Sequence, residues 1–336
     1  EAVALFDQTS FGKLLVQGPD AESALQRLCA ADTAVAPGRV VYTGLLNARG
    51  GYESDLTVTR LDETRFMLVT GTAQPIRDRH WIRRNLRPEE RVTVTDVSGA
   101  EAVFSVMGPR ARDLLQSLTD ADLSNAAFPL FTARAIALGH ATVRAARLSY
   151  VGELGWELYT PVEMAAGLYD TLFEAGAAHG LRDAGMQALA SLRIEKGFRA
   201  WGHEIGPDDT PLEAGLAFAT KLKSDIDFLG RDALLRRRKQ GIASRLVHFI
   251  CDDTALFPRG DEPLLKDGAI VGQVTSAAFG HTVGRSCGMG YIRLDGAQPA
   301  EFVASGRFEI ELACTRHPIT VSLQAPYDPK GERMRA

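Results

Sequence analysis

At 336 residues, with 45% hydrophobic and 24% charged side chains, the chain has the composition of an ordinary globular protein and is too long for one comfortable core. Its formal net charge of −4, from 38 Lys and Arg against 42 Asp and Glu, supplies no basic field, so no nucleic-acid partner is expected. No apolar run is long enough to cross a bilayer and the first residues do not form a signal peptide, so no membrane partner and a cytoplasmic or organelle-matrix location are expected.

Cys29, Cys251, Cys287 and Cys314 stand singly, and the seven histidines form no His-x-x-x-His pair, so reduced thiols and no metal site are expected. Gly284, Gly288 and Gly290 follow no strand-to-helix signal, which argues against a dinucleotide site. There is no Gly-x-Ser-x-Gly elbow and no P-loop.

In chain order, Thr9 to Gly18 reads as a turn and a strand, and Pro19 opens a helix on which Ala24, Leu25, Leu28 and Cys29 recur at helical spacing. Val40 to Leu46 is a strand, Asn47 to Gly51 a turn and Ser54 to Leu61 the alternating return, placing Asp55 near the start of that return. Arg65 to Thr70 predicts a strand and Pro75 to Leu86 an arginine-rich helix. Further strands are expected at Val92 to Val97, Glu101 to Gly108 and within Ala133 to Leu148, with a helix from Pro109 to Leu118. Helices follow at Glu163 to Ala178 and Met186 to Arg199, and Gly206 to Pro211 is a loop. The basic run Arg236 to Gln240 marks a helix end; from Ser244 short strand-like segments broken by Gly, Pro and Asp predict a small all-β C-terminal domain. The class is α+β, with split βαβ units rather than a doubly wound sheet.

The segment Ser149 to Tyr159 packs two acids, aromatics and glycines into a predicted strand-turn-strand. Half-buried acids need hydrogen-bond donors, and a heterocycle with several N–H groups would provide them. A tight hairpin with Glu153 and Glu157 facing water explains the same residues, and taken alone is the simpler reading. Two further segments, Gly50 to Thr59 and Ser191 to Gly197, give it company.

Together with Phe6 to Lys13, Leu192 to Gly202 and Asp227 to Arg231, these segments resemble the aminomethyltransferase family, which includes the glycine cleavage T-protein and the C-terminal regions of dimethylglycine and sarcosine dehydrogenases and oxidases. The resemblance covers essentially the whole chain. Ser54-Asp55, Trp201-Gly202 and the tail from Tyr327 to Met334 are closest to the dimethylglycine and sarcosine enzymes. It implies a folate-binding fold divided into residues 1–46 with 136–240, residues 47–135, and a C-terminal antiparallel β-barrel at 241–336. It implies tetrahydrofolate as cofactor and capture of an iminium or formaldehyde, released by N-methyl amine oxidation, as 5,10-methylenetetrahydrofolate.

The resemblance carries roles with it. Asp55 is the catalytic acid–base; Ser54, Leu56, Tyr150, Glu157, Leu158, Tyr159 and Phe218 are folate-binding; Arg193 and Glu195, an internal helical ion pair, and Tyr327 are supporting. Glu153 is expected to be a turn acid. Position 1 is Glu, and the expected context is the C-terminal piece of a larger amine oxidoreductase, with an FAD-containing domain or subunit as partner and no FAD site within this chain. A free-standing aminomethyltransferase or demethylase is the alternative. A non-catalytic iron–sulfur assembly factor is the alternative of another class, and the cysteine those relatives carry is absent from Lys196-Gly197-Phe198-Arg199.

Overall fold

The computed structural model describes residues 2–336. By internal contacts the chain forms two units, one comprising residues up to Leu45, Glu53–Met186 and Gly331–Ala336, the other Leu46–Tyr52 and Gln187–Lys330.

The first unit holds two sheets. A six-stranded sheet runs Leu181–Asp183, Val3–Asp7, Glu101–Met107, Gly155–Pro161, Ala141–Arg147, Thr132–Leu138; only the pairing of Leu181–Asp183 with Val3–Asp7 is parallel. A five-stranded sheet runs Val40–Leu46, Tyr52–Arg60, Arg65–Thr70, Gly12–Gln17, Thr93–Asp96. Strand alternation gives each sheet two buried faces. On the first, Trp156 and Leu158 join Leu114, Leu168 and Leu172 in a core under the helices Ala111–Gln116 and Ala165–Gly176. On the second, Leu56, Val58 and Leu68 pack with Leu25, Leu28 and Ile82 of the helices Ala21–Leu28 and Pro75–Arg84. The opposite faces share one cluster, in which Val40, Met67 and Val69 meet Val103, Ala146, Leu148 and Tyr159, so the two sheets pack face to face.

The second unit contains a closed six-stranded barrel, in the order Ser244–Cys251, Arg285–Arg293, Ala269–Gly280, Pro263–Lys266, Phe308–Leu312, Thr315–Ser322, with all neighbouring strands antiparallel. Gly288 and Gly290 lie where a Cβ would strike Phe249 and Gln273 O, so these glycines serve strand packing in the barrel. The α+β class and the C-terminal barrel are as the sequence predicts. The boundaries drawn at 46/47 and 135/136 run through both sheets. Glu101–Met107 pairs with Val3–Asp7 and with Gly155–Pro161, and Gly12–Gln17 pairs with Arg65–Thr70.

Several elements differ from expectation. Ser149 to Leu154 is not a strand: the Ser149 hydroxyl accepts N–H bonds from Val151 and Gly152, and Gly152 has φ +82°, which folds the segment into a loop. Gly155–Pro161 pairs antiparallel with Ala141–Arg147 and Glu101–Met107, both further upstream. The helix Met186–Glu195 ends before Gly197, whose φ is +69°. No helix is long and apolar enough to cross a membrane among the described residues.

Candidate functional site

Asp55 lies on the strand Tyr52–Arg60, and its neighbours define its direction. Ser54, Leu56 and Val58 are buried toward the helices, so Asp55 and Thr57 face the other way; Thr57 is directly opposite Val69, a member of the cluster between the sheets. Asp55 therefore opens onto the interval between the sheets. Its Oδ2 accepts a hydrogen bond from the Tyr42 hydroxyl at 3.0 Å, on the adjacent strand. Tyr52–Arg60 is held in place at two consecutive positions: Glu53 is paired with Arg77 at 2.5 Å, and Ser54 donates to Asp78 Oδ2 at 2.7 Å.

Glu157 reaches the same interval from the opposite sheet. On Gly155–Pro161, Trp156 and Leu158 enter the helical core while Glu157 and Tyr159 turn inward, opposite Ser105 and Val103. Glu157 is 4% exposed and accepts a bond from the Tyr159 hydroxyl at Oε2, at 2.5 Å. Among the described residues no cation is paired with it. Burial pushes its carboxyl up to about 7, the Tyr159 bond pulling the other way. Tyr159 is raised well above its ordinary value, first by burial and then by Glu157. Its ring lies under the Arg144 guanidinium, 4.8 Å from the centroid, and Arg144 is forked onto Glu101 at 2.6 and 3.1 Å. Glu101 and Arg144 thus brace Tyr159, a support that no local motif announces because Glu101 and Arg144 are 43 residues apart.

A buried carboxylate with one phenolic donor and no cation is costly on its own and is suited to a neutral ligand presenting N–H groups. With Asp55 facing the same interval, the first unit offers two carboxylates on facing walls.

The remaining expected site residues are distributed as follows. Ser54, Leu56 and Leu158 are buried with side chains directed away from the interval, so any contact they make with a ligand runs through the main chain. Tyr150 and Glu153 lie in the Ser149 to Leu154 loop, both partly buried. Phe218, in the second unit, is 81% exposed on a short helical turn. The expected ion pair between Arg193 and Glu195 is corrected: two residues apart on a helix, they diverge. Arg193 instead pairs with Glu204 at 2.6 Å and donates to Ser276 Oγ, whereas Glu195 accepts the N–H groups of Thr282 and Val283. Tyr327 donates its N–H to the Glu195 carbonyl, next to the Lys196–Asp328 pair at 2.7 Å. Both features support the second unit internally.

The fold is that of an aminomethyltransferase. It superposes on the crystal structure of glycine cleavage system aminomethyltransferase T from Bartonella henselae with a TM-score of 0.84 at 26% identity, over 98% of this chain and 87% of that one. The family models agree: the GCVT N-terminal domain matches residues 1–224 and the glycine cleavage T-protein C-terminal barrel domain residues 245–328. The chain belongs to the glycine cleavage T-protein family. Among curated relatives it is 41% identical to the mitochondrial sarcosine dehydrogenase of Mus musculus over 99% of this chain but 38% of that protein. It is 34% identical to the aminomethyltransferase of Halothermothrix orenii over 89% of this chain and 82% of that protein. The chain therefore spans less than half the length of the dehydrogenase it matches and most of the aminomethyltransferase.

Proposed function

We propose that the chain binds tetrahydrofolate between the two sheets of its first unit and transfers a one-carbon unit to it, as a module of an N-methyl amine oxidoreductase of the sarcosine or dimethylglycine type. The observation that carries this reading is Glu157: a nearly inaccessible carboxylate, raised to about 7 by burial, whose one hydrogen-bond donor among the described residues is Tyr159. A pterin supplies the missing donors from its amino and ring N–H groups, and a carboxylate accepts such a pair side by side. Tetrahydrofolate, when bound, supplies the nucleophilic nitrogens that take up a carbon at the oxidation level of formaldehyde.

The chain's own residues have separate tasks. Glu157 and Tyr159 orient the ligand, and the Glu101–Arg144 pair holds Tyr159. Asp55, kept in place by Tyr42, orients the attacking amine, takes its proton and stabilises positive charge nearby. Tyr150, Phe218, Ser54, Leu56 and Leu158 are contact candidates that follow from the family resemblance. The high identity to a sarcosine dehydrogenase, of which this chain matches 38%, supports the module reading and an FAD-containing partner domain or subunit. The 82% coverage of the Halothermothrix orenii aminomethyltransferase supports the second reading, a transferase acting alone.

Calorimetric titration with tetrahydrofolate, followed by formaldehyde capture assays on the native chain and on Asp55→Ala, tests the proposal. Retained binding with capture reduced by about 10²-fold or more is expected. Absence of binding by the native chain would sink the folate assignment, and undiminished capture in Asp55→Ala would remove that residue from the chemistry.

A further inference from the structure

Behind Asp55, on the helix side of its strand, lies a second carboxylate that the site does not use directly. Asp78 sits in the first turns of the helix Pro75–Arg84, is 1% exposed, and forms no salt bridge among the described residues, with Arg77 beside it in sequence as the nearest cationic influence. Its Oδ2 accepts two hydroxyl donors, Ser54 Oγ at 2.7 Å and Thr70 Oγ1 at 2.5 Å; Gln74 Nε2 donates in turn to Ser54 Oγ at 3.2 Å. Its Oδ1 is buried with no partner. One oxygen thus joins the strand Tyr52–Arg60, the strand Arg65–Thr70 and the helix.

The approach is close by construction. At Gly12 a Cβ would come within 2.6 Å of Pro75 and 2.8 Å of Thr70, and at Gly71 it would strike the Gln74 amide oxygen. The absence of both side chains lets the helix start settle on the strands. An unpaired buried carboxylate is expensive, and its position near the positive helix N-terminus offsets only part of that expense. An apolar side chain would fill the space more cheaply, so what Asp78 contributes is geometry rather than stability.

We propose that Asp78 is a positioning residue for Asp55, acting through Ser54; the proposal rests on the reading of Asp55 given above. Ser54 and Asp55 are consecutive and point to opposite faces. Fixing the Ser54 hydroxyl from the helix side fixes the torsions that aim the Asp55 carboxylate at the interval, where Tyr42 meets it at 3.0 Å. The carboxylate acts here as a double acceptor. Asparagine, whose amide oxygen accepts the same two hydroxyl bonds, should therefore replace it, whereas alanine should not.

The test uses Asp78→Ala, Asp78→Asn, Ser54→Ala and the Asp78→Ala/Ser54→Ala double variant, each normalised to its folded fraction. For Asp78→Ala, formaldehyde capture at saturating tetrahydrofolate should fall about 10- to 100-fold, the scale of an ångström misplacement, with Kd for tetrahydrofolate changed less than about threefold. Asp78→Asn should restore capture, and the double variant should be no worse than Asp78→Ala. Asp78→Asn as impaired as Asp78→Ala, or a loss confined to Kd, would overturn the proposal. A structural arm stands apart from activity: the Tyr42–Asp55 bond should be lost in crystals of Asp78→Ala and kept in Asp78→Asn. Its persistence in Asp78→Ala overturns the positioning role, whereas a native chain that fails to capture formaldehyde tells against the reading of Asp55 instead. Should Asp78→Ala fail to fold, Ser54→Ala carries both arms, with loss of the Tyr42–Asp55 bond again expected.

Discussion

Replacing Glu157 by glutamine should make the folded chain more stable and its ligand binding worse. In the folded chain the carboxyl is raised from 4.5 to about 7, chiefly by burial, and the side chain is almost wholly inaccessible. Keeping it ionised in the folded state therefore costs about 3 kcal/mol relative to the unfolded chain. The folded state binds the proton more tightly, so between pH 4.5 and 7 it carries more protons than the unfolded state. The stability this group contributes is complete below pH 4.5 and is lost as pH rises to about 7. Glutamine is neutral throughout and its amide oxygen still accepts the Tyr159 hydroxyl, so Glu157→Gln escapes that loss. In urea unfolding at a series of pH values, the two proteins should be similar near pH 4.5, and the variant should lead by roughly 2 to 3 kcal/mol at pH 8 with an unchanged m-value. Tetrahydrofolate affinity should fall at least tenfold in the variant, because an amide offers one acceptor oxygen and no charge. A variant less stable than the native chain at pH 8, or a difference independent of pH, would show that the carboxylate is compensated in the free protein and would refute the argument.

Four further outcomes follow from the same geometry. Because the ionised form of Glu157 accepts the ligand's N–H groups, native affinity for tetrahydrofolate should weaken about tenfold between pH 8 and pH 6, and Glu157→Gln should abolish that slope in calorimetric titrations. Glu204→Ala leaves the Arg193 guanidinium buried without its carboxylate, at side-chain exposures of 6% and 0% for the pair, and should cost about 3 to 5 kcal/mol by urea unfolding. Arg144→Met removes both the Glu101 fork and the cation over the Tyr159 ring; weakened tetrahydrofolate binding with the capture rate at saturation nearly unchanged is the expected split, measured as Kd against rate. Thiol labelling at pH 8 should modify Cys314 first, since it is exposed while Cys29, Cys251 and Cys287 are buried, and burial pushes Cys251 up to about 11 and Cys287 up to about 12; mass spectrometry of the labelled peptides reads the order.

What could be read in the sequence was local. The strands around residues 40 to 70 announce themselves by alternation, the helix at Pro75 by its proline, and the all-β C-terminal domain by its short strands and turn clusters. Where expectation failed, a particular hydrogen bond or ion pair that the pattern does not announce had decided the outcome. Ser149 to Leu154 contains strand-forming residues, but the Ser149 hydroxyl captures two N–H groups and the real partner strand ends at Arg147. Arg193 and Glu195 look like a helical pair only until the helix turn is counted; their partners come from Glu204 and from the Thr282–Val283 main chain. Asp78 gave no signal at all. A single acid among arginines reads as a solvated charge, and its burial depends on Ser54, 24 residues away, and on two glycines whose lack of side chains is informative only once the helix is seated.

The alternation of the strand Tyr52–Arg60 explains how one segment can serve both stability and chemistry. Its even-numbered positions, Ser54, Leu56 and Val58, are committed to the helices, while its odd-numbered Asp55 and Thr57 face the opposite sheet. A carboxylate at position 54 would meet Asp78 across the 2.7 Å now spanned by a hydroxyl bond, two buried like charges without a cation between them. Ser54→Asp should therefore destabilise the chain at pH 8 and recover part of that loss on acidification, when one carboxyl of the pair takes a proton and can donate to the other. A Ser54→Asp variant as stable as the native chain at pH 8 would mean that the helix can withdraw from the strand. In that case the rigid support assigned to Asp78 would not exist.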